Sequence, residues 1–141
     1  MSVSIPESHC DLLTRPVYAV LTTLMPDGQP QSTLVWADYD GQHVLINTTM
    51  ERQKGRNMQA NPHVSLLVVD PHNSSRWLTL RGCVVAISEE GAVEHADRLT
   101  RLYTGKSHFY GDIYPVEQMQ RETRVIVRIE PQHIALDAIF K

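Results

Sequence analysis

A chain of 141 residues with 42% hydrophobic and 21% charged residues has the size and make-up of one globular domain, residues 1–141, with apolar surface for one core. The formal net charge of -3 argues against a general binder of nucleic acid or of membrane surfaces, which carries a basic excess. No apolar run approaches the roughly 20 residues that span a bilayer, and the first residues lack the charged-then-apolar pattern of a secretory leader.

Residues 5–14, "IPESHCDLLT", predict a short helix, with Pro6 suited to its first turn and Glu7 to the positive end of its dipole. "VYAVLTTLM" (17–25) is rich in β-branched residues without a helical stripe, which predicts a buried strand. "PDGQP" (26–30) is a turn, and "QSTLVWADY" (31–39) is the returning strand. Asp40-Gly41 makes the next turn before a third strand, "QHVLINTT" (42–49). Three strands with tight connections predict an antiparallel meander. "ERQKGRNMQANP" (51–62) predicts a short helix ending before Pro62. Gly55 weakens that helix by up to about 1 kcal/mol relative to alanine, so tertiary contacts must hold it.

"HVSLLVVD" (63–70) and "RWLTLRGCVVAIS" (76–88) are strands joined by the loop "PHNSS", the second with a bulge or bend at Gly82. "EEGAVEHADRLTRLYTG" (89–105) is an amphipathic helix capped by Ser88, with Ala92, Ala96, Leu99, Leu102 and Tyr103 near one face. "KSHFYGDIYP" (106–115) is an aromatic loop, and "VEQMQR" (116–121) makes one or two helical turns. "TRVIVRIEP" (123–131) and "HIALDAI" (133–139) are closing strands. Strands, short helix, strands, helix, strands is the order of a mainly β fold, an antiparallel barrel with helices at its ends.

Arg52, Lys54 and Arg56 form a basic knot at a strand-to-helix junction. Arg52 and Arg56 share a helix face, whereas Lys54 lies about 200° around the axis from Arg52. A common target for Arg52 and Lys54 therefore requires a turn or the first loose turn of the helix. Such a junction also offers free N–H groups to an anion. Arginine presents a planar fork to phosphate oxygens, lysine a point charge, and Thr48 and Thr49 add hydroxyls just upstream. The competing reading is a basic face in water. The seven histidines form no HxxxH or Cys/His cluster, so no metal site is expected. Cys10 and Cys83 lie far apart, outside any CxxC spacing, and fit reduced thiols of a cytoplasmic protein. The hydrolase motifs GxSxG and HExxH are absent. Trp36 fits core or interface packing, or a wall for a planar ring.

The succession "VLTTLMPDGQPQSTLVWADYDGQHVLINTT", "RQKGRNMQANPHVSLLV" and "RWLTLRGCVVAIS" resembles the pyridoxamine 5'-phosphate oxidase-like split-barrel superfamily. Within it the chain is most similar to the flavin/deazaflavin oxidoreductase branch, many of whose members use coenzyme F420. The resemblance implies a six-stranded antiparallel split β-barrel of the FMN-binding type, and a homodimer with cofactor sites in interface grooves. By position, Arg52 and Lys54 match the phosphate-binding pair, with Arg56 behind them. Thr48 and Thr49 match residues facing the phosphate and ribityl chain. Gln31 and Thr33 lie on the strand lining the isoalloxazine-type ring, and Trp77 matches an aromatic position near the cofactor.

The implied activity is hydride transfer from F420 to a small unsaturated organic substrate, with FMN as the alternative cofactor and no catalytic side chain singled out. The strand 31–39 lacks the arginine and lysine with which pyridoxamine phosphate oxidases grip FMN, which favours the deazaflavin. Their C-terminal arginine–histidine segment has no counterpart, so pyridoxal phosphate synthesis is not expected. A different class is a non-catalytic flavin- or haem-binding barrel, with His43, His63 or His72 as haem ligand.

Overall fold

The computed structural model describes residues 2–137. Six strands, β1 (Tyr18–Leu24), β2 (Pro30–Tyr39), β3 (Val44–Thr49), β4 (His63–Val69), β5 (Trp77–Ser88) and β6 (Arg124–Leu136), close an antiparallel barrel in the order β1-β2-β3-β6-β5-β4. The first three strands form the expected meander, and β4 returns to pair with β1. Alternate residues fill the interior: Ala19 and Leu21 of β1, Val64, Leu66 and Val68 of β4, and Val125, Val127 and Ile129 of β6. Period-two alternation assigns the other residues of these strands to the outer face.

Helices plug the barrel. Leu12 and Leu13 of α1 (Asp11–Thr14) seal the end where β1 begins. Met58 and Asn57 of α2 (Gln53–Ala60) sit at the other end, where Asn57 Nδ2 donates to Thr23 Oγ1 at 3.0 Å. The helix expected over 5–14 is a 3-10 turn, Glu7–His9, followed by α1. Cys10 between them keeps right-handed helical backbone (φ -59°, ψ -30°), so the two pieces are continuous.

Three local expectations are corrected. The segments 123–131 and 133–139 are one strand through Leu136, and residues 138 and 139 lie outside the described residues. The strand tolerates Pro131 because its pairing with β3 stops at Ile129 and its pairing with β5 slips between Arg81 and Gly82, so no ladder bond needs the missing N–H. Gly82 supports that slip, since a Cβ there would lie 2.5 Å from the Glu130 carbonyl oxygen. Second, Ser88 does not cap α3 (Ala92–Thr104): it ends β5 and accepts a hydrogen bond from Arg128 Nη1, while Gly91 at φ 75° is the residue before the helix. Third, Leu102 is turned out, and the packed stripe runs Ala92, Ala96, Leu99, Tyr103, whose hydroxyl donates to the Val17 carbonyl at 2.9 Å. Among the described residues no helix is long and apolar enough to cross a membrane.

Candidate functional site

Period-two alternation sends Leu34 and Trp36 of β2 to the outside of the barrel. Asn47 of β3 stands level with Trp36, one step beyond the Ala37–Ile46 pair, and Arg124 of β6 pairs with Thr49 two residues further on. These residues floor a pocket of about 210 Å³. Ala96 and Leu99 of α3 form one wall and Phe109, Ile113 and Tyr114 another, with Tyr18, Arg52 and Lys54 also lining it. The aromatic segment thus divides: Phe109 and Tyr110 are buried against Ala96, while Tyr114 faces the pocket. Trp36 stacks on Tyr103 with centroids 5.1 Å apart and meets Phe109 edge-on. His108 is exposed and lies outside this group.

The lining holds three cations, Arg52, Lys54 and Arg124, and no acid. Backbone conformation resolves the helical-wheel conflict between the first two. Arg52 is the residue before α2, with extended backbone (φ -80°, ψ 150°), and Lys54 is the second residue of the helix. The 100° step between helical residues does not apply across that junction, and both side chains reach one pocket. The first N–H groups of α2 lack intrahelical acceptors at the same place. Arg52 Nη2 donates to Tyr114 Oη at 3.0 Å. Lys54 has no hydrogen bond or ion pair among the described residues. Burial, and then repulsion by Arg52, holds its pKa below the ordinary lysine value. Arg56, in contrast, folds back on its own helix, donating to the Glu51 carbonyl and to Gln53 Oε1, and does not line the pocket.

Gly55 permits this placement. A Cβ there would lie 2.1 Å from the Thr49 carbonyl oxygen, so the first turn of α2 rests directly on the end of β3. The glycine that weakens the helix in isolation is the one that docks it.

The structure separates the other expected residues. Gln31 and Thr33 belong to the inward face of β2 and do not line the pocket; its outward residues Leu34 and Trp36 do. Gln31 Oε1 accepts from Asn57 at 3.5 Å. Thr48 and Thr49 are buried outside the pocket lining, and among the described residues the Oγ1 atoms of Thr33, Thr48 and Thr49 have no hydrogen-bond partner. Trp77 is outside the pocket, on the barrel's outer surface opposite Val69. His43 precedes β3, His63 opens β4 and His72 lies in a turn, and none lines the pocket. Among the described residues no group of three His, Cys, Asp or Glu could hold a metal ion.

Behind the pocket wall lies a polar cluster that sequence reasoning missed. Arg124 is buried with its guanidinium 4.2 Å from the Phe109 ring centroid; its Nε donates to Tyr110 Oη, and its Nη2 lies 3.6 Å from Glu122. Asp38 is held beneath α3 by His95 and Arg98. Burial pushes the Asp38 carboxyl up, but those two partners outweigh it and leave the pKa below the usual carboxylate value. Alternation in "TRVIVRIEP" was the available signal for Arg124, since it sets the arginines opposite the apolar core residues.

The family model described as pyridoxamine 5'-phosphate oxidase matches residues 5–136. A solved structure called an F420 reductase is 34% identical, covering 93% of this chain and 98% of that one, with a TM-score of 0.79. A conserved hypothetical protein from Mycobacterium tuberculosis is 27% identical over 96% of this chain and 86% of its own, with a TM-score of 0.68. The haem storage protein HutZ from Vibrio cholerae, 15% identical over 90% of each chain with a TM-score of 0.64, shares the fold. No curated protein matches the chain.

Proposed function

The chain belongs to the pyridoxamine 5'-phosphate oxidase family, and on that footing we propose that it is an oxidoreductase that binds coenzyme F420 and acts on a small unsaturated organic molecule. One observation carries the reading: a pocket walled by Trp36, Phe109 and Tyr114 receives three cations and no acid. That is the donor set for a planar ring with an anionic tail. F420 is preferred to FMN because the F420 reductase is the relative at 34% identity.

The bound ring supplies hydride transfer. This chain's residues bind and orient it. Arg52, Lys54 and the first N–H groups of α2 hold the phosphate, with Arg56 reinforcing the local positive charge. Leu34 and Trp36 support the ring and exclude water from one side. No side chain in the pocket is assigned a proton transfer.

The site is completed by a second copy of the chain. One protomer's pocket, at 210 Å³, is smaller than the roughly 300–1,000 Å³ of ligand pockets. Beside it the outer face of β4, β1 and β2 is apolar. Trp77, Val69, Tyr18 and Trp36 form one cross-strand row, and Leu67, Val20 and Leu34 the next. Leu34 is 67% and Tyr18 56% exposed. Contiguous apolar surface of this kind marks an association face, and it is where Trp77 would approach a cofactor held by the partner.

The test is titration of ligand-free protein with F420 and with FMN, following ring fluorescence. Saturable binding of F420 tighter than FMN is expected. Tighter FMN binding would make this a flavoprotein of the same fold, and binding of neither would overturn the reading.

A further inference from the structure

A chain of hydrogen bonds runs from the pocket wall to the buried carboxylate under α3. Arg124 Nη1 donates to Asn47 Oδ1 at 2.7 Å. Asn47 Nδ2 donates to the Ala92 carbonyl at 2.8 Å and lies 3.0 Å from His95 Nδ1. His95 Nε2 lies 3.0 Å from Asp38 Oδ2, which Arg98 also contacts. Asp38, His95 and Arg124 are 6%, 7% and 7% exposed, so water cannot readily substitute for these partners.

The ends fix the polarity of every link. A guanidinium can only donate, so Asn47 must present its carbonyl oxygen to Arg124 and its NH2 to His95. Nδ1 of His95 must then accept, which puts the ring proton on Nε2, aimed at a carboxylate that can only accept. Rotating the Asn47 amide would set NH2 against NH2 at Arg124 and lose the bond to Ala92. A single arrangement satisfies the whole chain, and it ends on the one pocket cation that is fully buried.

We propose that His95 is a positioning residue: through Asn47, and backed by Asp38, it fixes the guanidinium of Arg124 as the third cation of the anion pocket. Arg52 and Lys54 come from a helix start and can adjust to a ligand, whereas Arg124 is held by Asn47, Tyr110, the face of Phe109 and Glu122, 3.6 Å from its Nη2. It supplies a charge of set position against which the ligand's anionic group registers. The inference rests on the phosphate reading above.

The test compares wild type, His95→Ala, His95→Gln and Asn47→Ala by titration with FMN against riboflavin, and with F420 against its phosphate-free ring alcohol. Wild type is expected to prefer the phosphorylated member of the pair it binds. His95→Ala should lose about 10-fold of that preference, with phosphate-free binding little changed, and Asn47→Ala, which also removes a side chain from the pocket floor, should lose at least as much of the preference. His95→Gln, whose planar amide carries one acceptor and one donor, should recover the preference to within about 3-fold of wild type.

Should His95→Ala keep the wild-type preference, or lose both members of the pair equally, the network merely fastens α3 and the positioning role is overturned. If His95→Ala does not fold, Asn47→Ala decides by the preference alone: a wild-type preference in that variant overturns the positioning role. A wild type with no preference for phosphate removes the functional reading first, and this inference with it.

Discussion

Replacing Gly55 by alanine tests whether the cationic mouth of the pocket depends on how closely α2 rests on β3. The new Cβ would stand 2.1 Å from the Thr49 carbonyl oxygen, where ordinary contact begins at 3.4 Å. The obstacle is backbone, and Met50 Cα lies 3.3 Å away, so no rotamer relieves the clash. The first turn of the helix must lift by roughly an ångström, a distortion that costs about 1–3 kcal/mol. The gain in helix propensity returns at most about 1 kcal/mol. A net loss of about 1–2 kcal/mol is expected, or roughly 4–8 °C in thermal midpoint.

The same lift carries Arg52 and Lys54 away from Arg124, so cofactor affinity should fall as well. Thermal unfolding and cofactor titration of Gly55→Ala measure both, with the exposed helix substitution Gln59→Ala as control. A Gly55→Ala protein at least as stable as wild type would refute the reasoning, because helix propensity would then outweigh the contact.

Lys54→Met should weaken cofactor binding by roughly 1.5–3 kcal/mol. It should also raise the ligand-free thermal midpoint by about 2–4 °C, because it removes a half-buried charge that has no partner among the described residues and is repelled by Arg52. Arg52→Ala should lose a similar amount of binding without gaining stability, as seen by the same titration and melt. Asp38 has a folded pKa below its unfolded value, so its stabilising contribution is present above about pH 4 and is lost as pH falls through the lower, folded value. Asp38→Asn should therefore melt lower at neutral pH and show a shallower decline below pH 4 in a melting-temperature series. Sedimentation at micromolar concentration should find a species of twice the 16.0 kDa chain mass, and a clean monomer would remove the two-copy site.

The barrel was legible because its evidence is local. A β-branched run without a helical stripe announced β1, Asp40-Gly41 and Pro26-Asp27-Gly28 announced turns, and their order announced a meander. Pro131 misled, since a proline inside a strand ordinarily ends it, and only the slip at Gly82 across the sheet makes it harmless. At the site, charge density found Arg52 and Lys54, and the glycine between them and Arg56 hinted at close packing. What stayed hidden depends on phase and on distant partners. Gln31 and Thr33 stand on the right strand but one residue out of step with its outer face. Arg124 looked like an ordinary arginine in a closing strand, because its setting comes from Asn47, Phe109 and Tyr110, up to 77 residues away. His95 gave no signal at all on a helix whose polar face also carries Glu94, Arg98 and Arg101.

The phenol of Tyr114 gives Arg52 a companion before any ligand arrives. It is a neutral acceptor, so it steadies the fork without cancelling its charge, and on the proposed reading an incoming oxyanion, as the stronger acceptor, would displace it. Swapping that tyrosine for phenylalanine would leave the charge in place but let it wander, which would slow capture of the anion more than it would hasten its escape.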